Sequence, residues 1–346
     1  DYAVVAVYFL FMAAIGVGFR KMVGDSSDYF RGGGKMLWWM AGSSAFMTQF
    51  SAWTFTGAAS KAYLDGPIIL ILYFANALGF FVNYWVTAAR FRQSRVITPV
   101  EAVRRRFGAG NEQFFTWMQI PIGTIYAGIW LDALGVFFAA VFGFDITLTI
   151  IVTGAVVLFV SMVGGAWAVS ASDFMQVLVL MLITVVACAF ALTTLDSPSD
   201  LIAKFPADSI WGNGINVPVI VWLWIIAIMV KQVVTVNSML DSSRYLCARD
   251  SREARRAALL AGCLFLIPPM VAAIELPDLA SIFPQVEKSS EVAYVAISMK
   301  LLPAGMMGML ISGMFAATMS SMDSGLNRNA GIFVRNFYLP ILRKDA

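Results

Sequence analysis

The chain contains no histidine among its 346 residues. That excludes an imidazole proton relay and a histidine-ligated metal centre. Cysteine is almost as scarce: Cys188, Cys247 and Cys263 stand at no metal-ligand spacing, inside or beside apolar runs. Such positions favour free thiols acting as small apolar residues. Charged residues make up only 13%, and 24 basic against 21 acidic side chains leave a net +3. A surface built to hold nucleic acid needs far more positive charge than that. No phosphate-cradling glycine loop, no nucleophile-and-base set and no metal-ligand cluster can be found, so the chain does not read as an enzyme. The first apolar run begins at Tyr2 without a basic segment ahead of it. It therefore reads as a membrane span rather than a cleavable signal.

What fills the chain instead is hydrocarbon. Hydrophobic residues make up 60% and the mean hydropathy is +0.77, the balance of a polytopic helical protein in a lipid bilayer. Nine spans are expected, near 2–19, 37–62, 67–90, 114–142, 145–169, 172–195, 217–240, 256–276 and 302–334. All must be helical, because an open sheet edge cannot be satisfied in lipid. If alternate connections from the first onward face the cytoplasm, they collect 18 of the 24 basic residues, and the opposite side holds only Lys61, Lys204, Lys288 and Lys300. This bias predicts a multi-pass protein of the cytoplasmic (inner) membrane with its N-terminus outside and its C-terminal tail inside. Topology accounts for these basic loops without nucleic acid or lipid headgroups as partners. Residues 196–216 read as an external connection, and 276–300 as an amphipathic segment on the outer surface.

Three stretches depart from plain hydrocarbon. In 313–331, Gly313, Ala317, Ser320, Ser324, Asn327 and Gly331 step by four and three, one face of a helix, with Ser321 beside Ser320. Met314, Phe315, Met322 and Leu326 are left for lipid or neighbouring helices. The small stripe fits either close helix packing or a cation site lined by hydroxyls. The second span, LWWMAGSSAFMTQFSAWTFTGAASKAY, puts Gly42, Ser43, Ser44, Thr48, Gln49 and Ser51 at mid-membrane. Either it unwinds there and releases backbone carbonyls, or it is a polar helix buried in a bundle. Lys231 lies in IIAIMVKQVVTV, with Asp132, Asp173 and Asp323 as available counter-charges. A lysine at that depth is functional, snorkels to the interface, or makes a fixed ion pair.

Five stretches in order carry a family resemblance: SSDYFRGGGKMLWWMAG after the first span, ITPVEAVRRRFG at 97–108, VGGAWAVSASDFMQ at 163–176, SSRYLCARDSREARRA at 242–257, and AATMSSMDSGLN. Together they resemble the sodium/solute symporter family, over nearly the whole chain. The resemblance implies an all-α, leucine-transporter-like inverted-repeat bundle. Residues 1–36 would be the first helix and loop, 37–195 a five-helix repeat, and 196–346 an incomplete second repeat, since the family core extends two helices beyond the nine counted here.

The same resemblance implies a sodium site made of the carbonyls of Met47, Phe50 and Ala317 and the hydroxyls of Ser320 and Ser321. Oxygen-only ligation suits a hard alkali cation. It also implies a second sodium near Asp173, Asp323 and Ser324, and a solute pocket at Gln49, Thr54 and Lys231, with Tyr126 and Trp130 alongside. A lysine in that pocket favours an anionic or zwitterionic small solute. The expected activity is sodium-coupled symport. The rival expectations are proton coupling through Lys231 or Asp173, and a transporter-like solute sensor. Oligomeric state is left open.

Overall fold

The computed structural model describes residues 1–19, 26–143, 145–193, 218–241, 243–267 and 293–343. The expected connection 196–216, most of the segment 276–300 and the end of the eighth span lie outside these residues. Among the described residues the chain is helical, and its one β-type contact is an isolated bridge between Met36 and Ala248.

The order is α1 (Tyr2–Phe19), α2 (Ser26–Arg31), α3 (Trp38–Thr48), α4 (Gly57–Asp65), α5 (Ile71–Val82), α6 (Ala88–Gln93), α7 (Pro99–Phe107), α8 (Ala109–Phe142), α9 (Ile146–Leu192), α10 (Pro218–Val236), α11 (Ser243–Cys247), α12 (Ser251–Phe265), α13 (Ala293–Leu301) and α14 (Met306–Phe333). A wider π-type turn, Asn83–Thr87, joins α5 to α6. Four described helices are long and apolar enough to cross a membrane: Ile68–Gln93, Ala109–Ala139, Gly165–Phe190 and Val219–Val236. The nine expected spans therefore do not all take the form of long apolar helices among the described residues. The second is broken into short pieces, and the ninth is too polar to count by hydropathy because it is the helix the others bury.

That helix, α14, is buried without interruption from Leu310 to Ser324. It packs on α9, α8, α1 and α3. Met314, Phe315 and Met322 therefore meet neighbouring helices, and only Leu326 reaches the exterior. Gly313 lies against Leu180 and Ile183 of α9, and Gly331 against the ring of Phe30. The ends of the small-residue stripe serve close packing, whatever its middle does.

Two glycines set the path of the chain. Gly165, at φ 57° and ψ −175°, breaks α9. The fifth and sixth spans accordingly meet there, a few residues before the expected boundary near 170. A Cβ on Gly165 would also press on Tyr29, so glycine is required both for the left-handed φ and for the space. Gly42 lets α3 touch the backbone of α12: a Cβ there would come within 2.7 Å of the Ala257 carbonyl oxygen. Further along α12, Phe46, Phe50, Phe80 and Phe265 interlock as stacked and edge-on rings.

Candidate functional site

The second span breaks where its polar residues concentrate. α3 ends at Thr48, Gln49 turns back with its N–H on the Phe46 carbonyl, and Ser51 is extended at φ −137°. A single 3-10 turn, Ala52–Thr54, follows before α4 begins. Carbonyls at such a break are no longer all taken by the N–H groups of the next turn. The break is held by α14, whose Thr318 hydroxyl accepts the Ala52 N–H at 3.3 Å.

Ser321 of α14 points into this break. Its Oγ is 2.9 Å from the Phe50 carbonyl oxygen, 3.2 Å from that of Met47 and 3.2 Å from that of Ala317. The hydroxyl has one proton, and a carbonyl has none to give. At most one of these three approaches is a full hydrogen bond, and the others gather lone pairs around one point in a dry interior. Ser321 is 1% exposed and Phe50 4%. Four oxygens from two separate segments, the Met47 carbonyl also accepting the Phe50 N–H at 3.2 Å, bring partial negative charge to one buried point, which suits a hard cation better than an anion.

Ser320, the neighbouring hydroxyl, turns the other way. It donates to Oδ1 of Asp173 on α9, and Ser44 of α3 donates to Oδ2. Asp173 is fully buried, and the Arg244 guanidinium from α11 lies within electrostatic range of it. Arg244 itself donates through Nη2 to Ser324, which also accepts from Thr48 Oγ1 at 3.1 Å. Thr48 is anchored in turn on the Ser44 carbonyl at 2.7 Å. A second oxygen cluster, Ser44–Asp173–Ser320 with Ser324 and Thr48, thus adjoins the first, and here a carboxylate supplies the charge. Asp323 is buried as well, and with Asp173 lies within electrostatic reach of the Tyr8 hydroxyl of α1.

The expected solute residues are only partly gathered. Gln49 is half-buried and Thr54 buried in the broken stretch. Trp130 of α8 packs on Gly325 of α14 and stacks with Tyr126, ring centroids 6.0 Å apart, but Tyr126 is 53% exposed. Lys231 is not brought to this group: it is exposed on α10. Helical phase explains the difference, because α10 turns Gln232 and Val236 toward α5 and leaves the preceding lysine pointing outward. Nor does the expected counter-charge Asp132 help, since it is exposed on α8.

Sequence reasoning passed over Ser44, Thr48, Thr318 and Arg244 as site residues. The first two were legible as polar groups at mid-membrane, and Arg244 as a basic residue just after a span. Thr318 sits off the small-residue stripe and gave no signal.

Comparison with known proteins follows this geometry. A sequence profile described as "Sodium:solute symporter family" matches residues 29–346. The chain is 24% identical to sodium/myo-inositol cotransporter 2 of Oryctolagus cuniculus, covering 98% of this chain and 56% of that protein. It is likewise 24% identical to sodium/glucose cotransporter 4 of Danio rerio, covering 98% of this chain and 58% of that one. The chain therefore spans a little over half the length of these relatives. Among solved structures, a Na+-coupled sialic acid symporter in a substrate-bound outward-open state superposes with a TM-score of 0.82 at 21% identity, over 98% of this chain and 74% of that one. At that identity the likeness speaks for the fold alone.

Proposed function

The chain belongs to the sodium:solute symporter family, and from that premise we propose that it forms the ion- and solute-binding part of a secondary active transporter. The transporter carries a small polar solute together with sodium by alternating access. One observation carries the reading: the Ser321 hydroxyl faces the Phe50, Met47 and Ala317 carbonyls at 2.9–3.2 Å. Sodium held there ties the break after α3 to α14, while Ser320, expected as a further ligand, is turned to Asp173 instead. The Asp173 cluster, with Ser320, Ser324 and Asp323, is the place for a second sodium.

Coupling is then the difference in sodium affinity between states in which α3 and α14 are joined and states in which they are apart. The solute pocket adjoins the break, at Gln49 and Thr54, with Trp130 and Tyr126 on its α8 side. An anionic or zwitterionic preference rested on Lys231 and loses its support with that residue exposed. An amide and a hydroxyl suit a hydroxyl-rich solute, in keeping with the myo-inositol and glucose named for two of the similar proteins. The unequal spread of arginine places α2, α7, α11 and the end of α14 on the cytoplasmic side of the inner membrane, with 37–195 as the first repeat and 196–346 as part of the second.

In the protein that carries this chain, Ser321→Ala is expected to raise the sodium concentration for half-maximal uptake at least tenfold while membrane expression stays within twofold. Unchanged sodium dependence in that variant sinks the assignment. Buried Asp173 favours proton coupling as the second reading. Uptake measured while sodium and pH are varied independently separates the two.

A further inference from the structure

Two contacts join α14 to the segment that follows α10, and neither belongs to the oxygen cluster around Ser321. Arg328 of α14 forms an ion pair with Asp241 at 3.1 Å and reaches the Leu240 carbonyl at 3.4 Å. Arg244 of α11 crosses in the opposite sense to Ser324. Ser324 and Arg328 are one helical turn apart, so both links leave the same face of α14. Between them is a small cavity walled by Thr98, Cys247 and Asn327 as well as by the two arginines and Ser324.

The chemistry of the links differs from that of a permanent core. The Arg328 and Asp241 side chains keep 16% and 21% exposure, enough for water to replace each partner when the pair separates. Among the described residues, Nε of Arg244 and Nε of Arg328 are both buried without an acceptor. A static interior rarely leaves two guanidiniums incompletely matched on one cavity, because each unmet donor is destabilising. Contacts that part in one of two alternating arrangements are built from such exchangeable polar pairs. Arg244 also lies in electrostatic range of Asp173, which puts one arm of the pair of links beside the proposed ion site.

We propose that Arg328–Asp241 and Arg244–Ser324 form a two-arm latch that closes the arginine-rich, cytoplasmic end of the bundle, and that parting these arms opens a water path past Cys247. The latch rests on the alternating-access reading in one respect, that α14 and the α10–α11 segment separate during the cycle. Cys247 is a built-in reporter: it is 2% exposed and lines the cavity.

The test uses the full protein in membranes with every cysteine but Cys247 replaced by serine, in sodium-free buffer. The rate at which a small maleimide modifies Cys247 is the readout. Arg328→Ala and Asp241→Asn are each expected to raise that rate at least tenfold. The exchanged pair, Arg328→Asp with Asp241→Arg, should return it to within about threefold of the parent. Global unfolding is separated from opening by an Ala45→Cys reporter, placed in the core and examined in the same backgrounds with Cys247 removed. Cys247 rates unmoved in both single variants overturn the latch, as does an exchanged pair that labels as fast as either single variant. Equal gains at positions 45 and 247 overturn it too. Because sodium is absent throughout, a failure of Ser321→Ala to change sodium dependence would leave this labelling result standing, and the two failures stay distinct.

Discussion

Two polar regions cross the interior of this molecule, and they are built from opposite materials. Between α5 and α10 the polar groups are amides: Gln232 Nε2 donates to Asn76 at 3.0 Å, Asn83 Nδ2 to the Val236 carbonyl at 2.9 Å, and Asn237 Nδ2 to the Gly79 carbonyl at 2.9 Å. Every rung brings its own donor. Between α3 and α14 the groups are hydroxyls, carbonyls and one carboxylate, and oxygens outnumber the protons available to share among them. The first arrangement is complete without a ligand and works as glue between helices. The second, on the reading proposed above, is completed by a cation. In an apolar interior, the ratio of donors to acceptors separates a structural seam from a binding site, although both look merely polar in sequence.

The sharpest way to break this contrast is Asp173→Asn. It removes the buried charge that Ser44 and Ser320 bond and that lies in electrostatic range of Arg244, so a loss of about 3 kcal/mol in unfolding free energy is expected. Adding Arg244→Gln should restore part of it in a thermal unfolding assay. A single variant as stable as the parent would mean that neither the serines nor Arg244 answers that charge. Asn237→Ala should cost less, about 1 kcal/mol, through the hydrogen bonds lost to the Gly79 carbonyl and the Thr87 hydroxyl, which keep their contacts to Asn83. Sodium titrations of that variant should overlay those of the parent, and a shifted titration would dissolve the distinction between seam and site.

An effect as small belongs to a residue outside both regions. Asp250 caps α12 by accepting the Arg252 and Glu253 N–H groups at 2.9 Å. Asp250→Ala should cost about 1 kcal/mol regardless of sodium. The bonds from Glu253 and Arg252 hold this carboxyl below its ordinary value. Its contribution is therefore fully present above the unfolded-state value and fades as pH falls through the folded one. Stability measured against pH in parent and variant should converge only on the acid side.

Much of this was legible beforehand, for reasons that can be named. The break after α3 was legible as one of two readings, because Gly42, Ser43, Ser44, Thr48, Gln49 and Ser51 crowd ten residues of an otherwise apolar span. The convergence of Ser321 on Met47 and Phe50 was not in the spacing: helical phase put the serines on one face, and only the family resemblance tied that face to the broken stretch. Phase alone failed for Lys231, because nothing in IIAIMVKQVVTV tells which side meets α5 until Gln232 is seen to bond Asn76. Ser320 and Ser321 look interchangeable as letters. A 100° step on the helix sends one to a carboxylate and the other to carbonyls.

Gly42 ties these regions together mechanically. With no side chain between them, α3 and α12 touch backbone to backbone, near enough that neither slides past the other. A shift of the carbonyls at 47 and 50 therefore meets α12 directly, and α12 runs back to its capped end at Asp250 on the arginine-rich side. A side chain at position 42 would press on the Ala257 carbonyl and prise the two helices apart, loosening the link between the break and that far end.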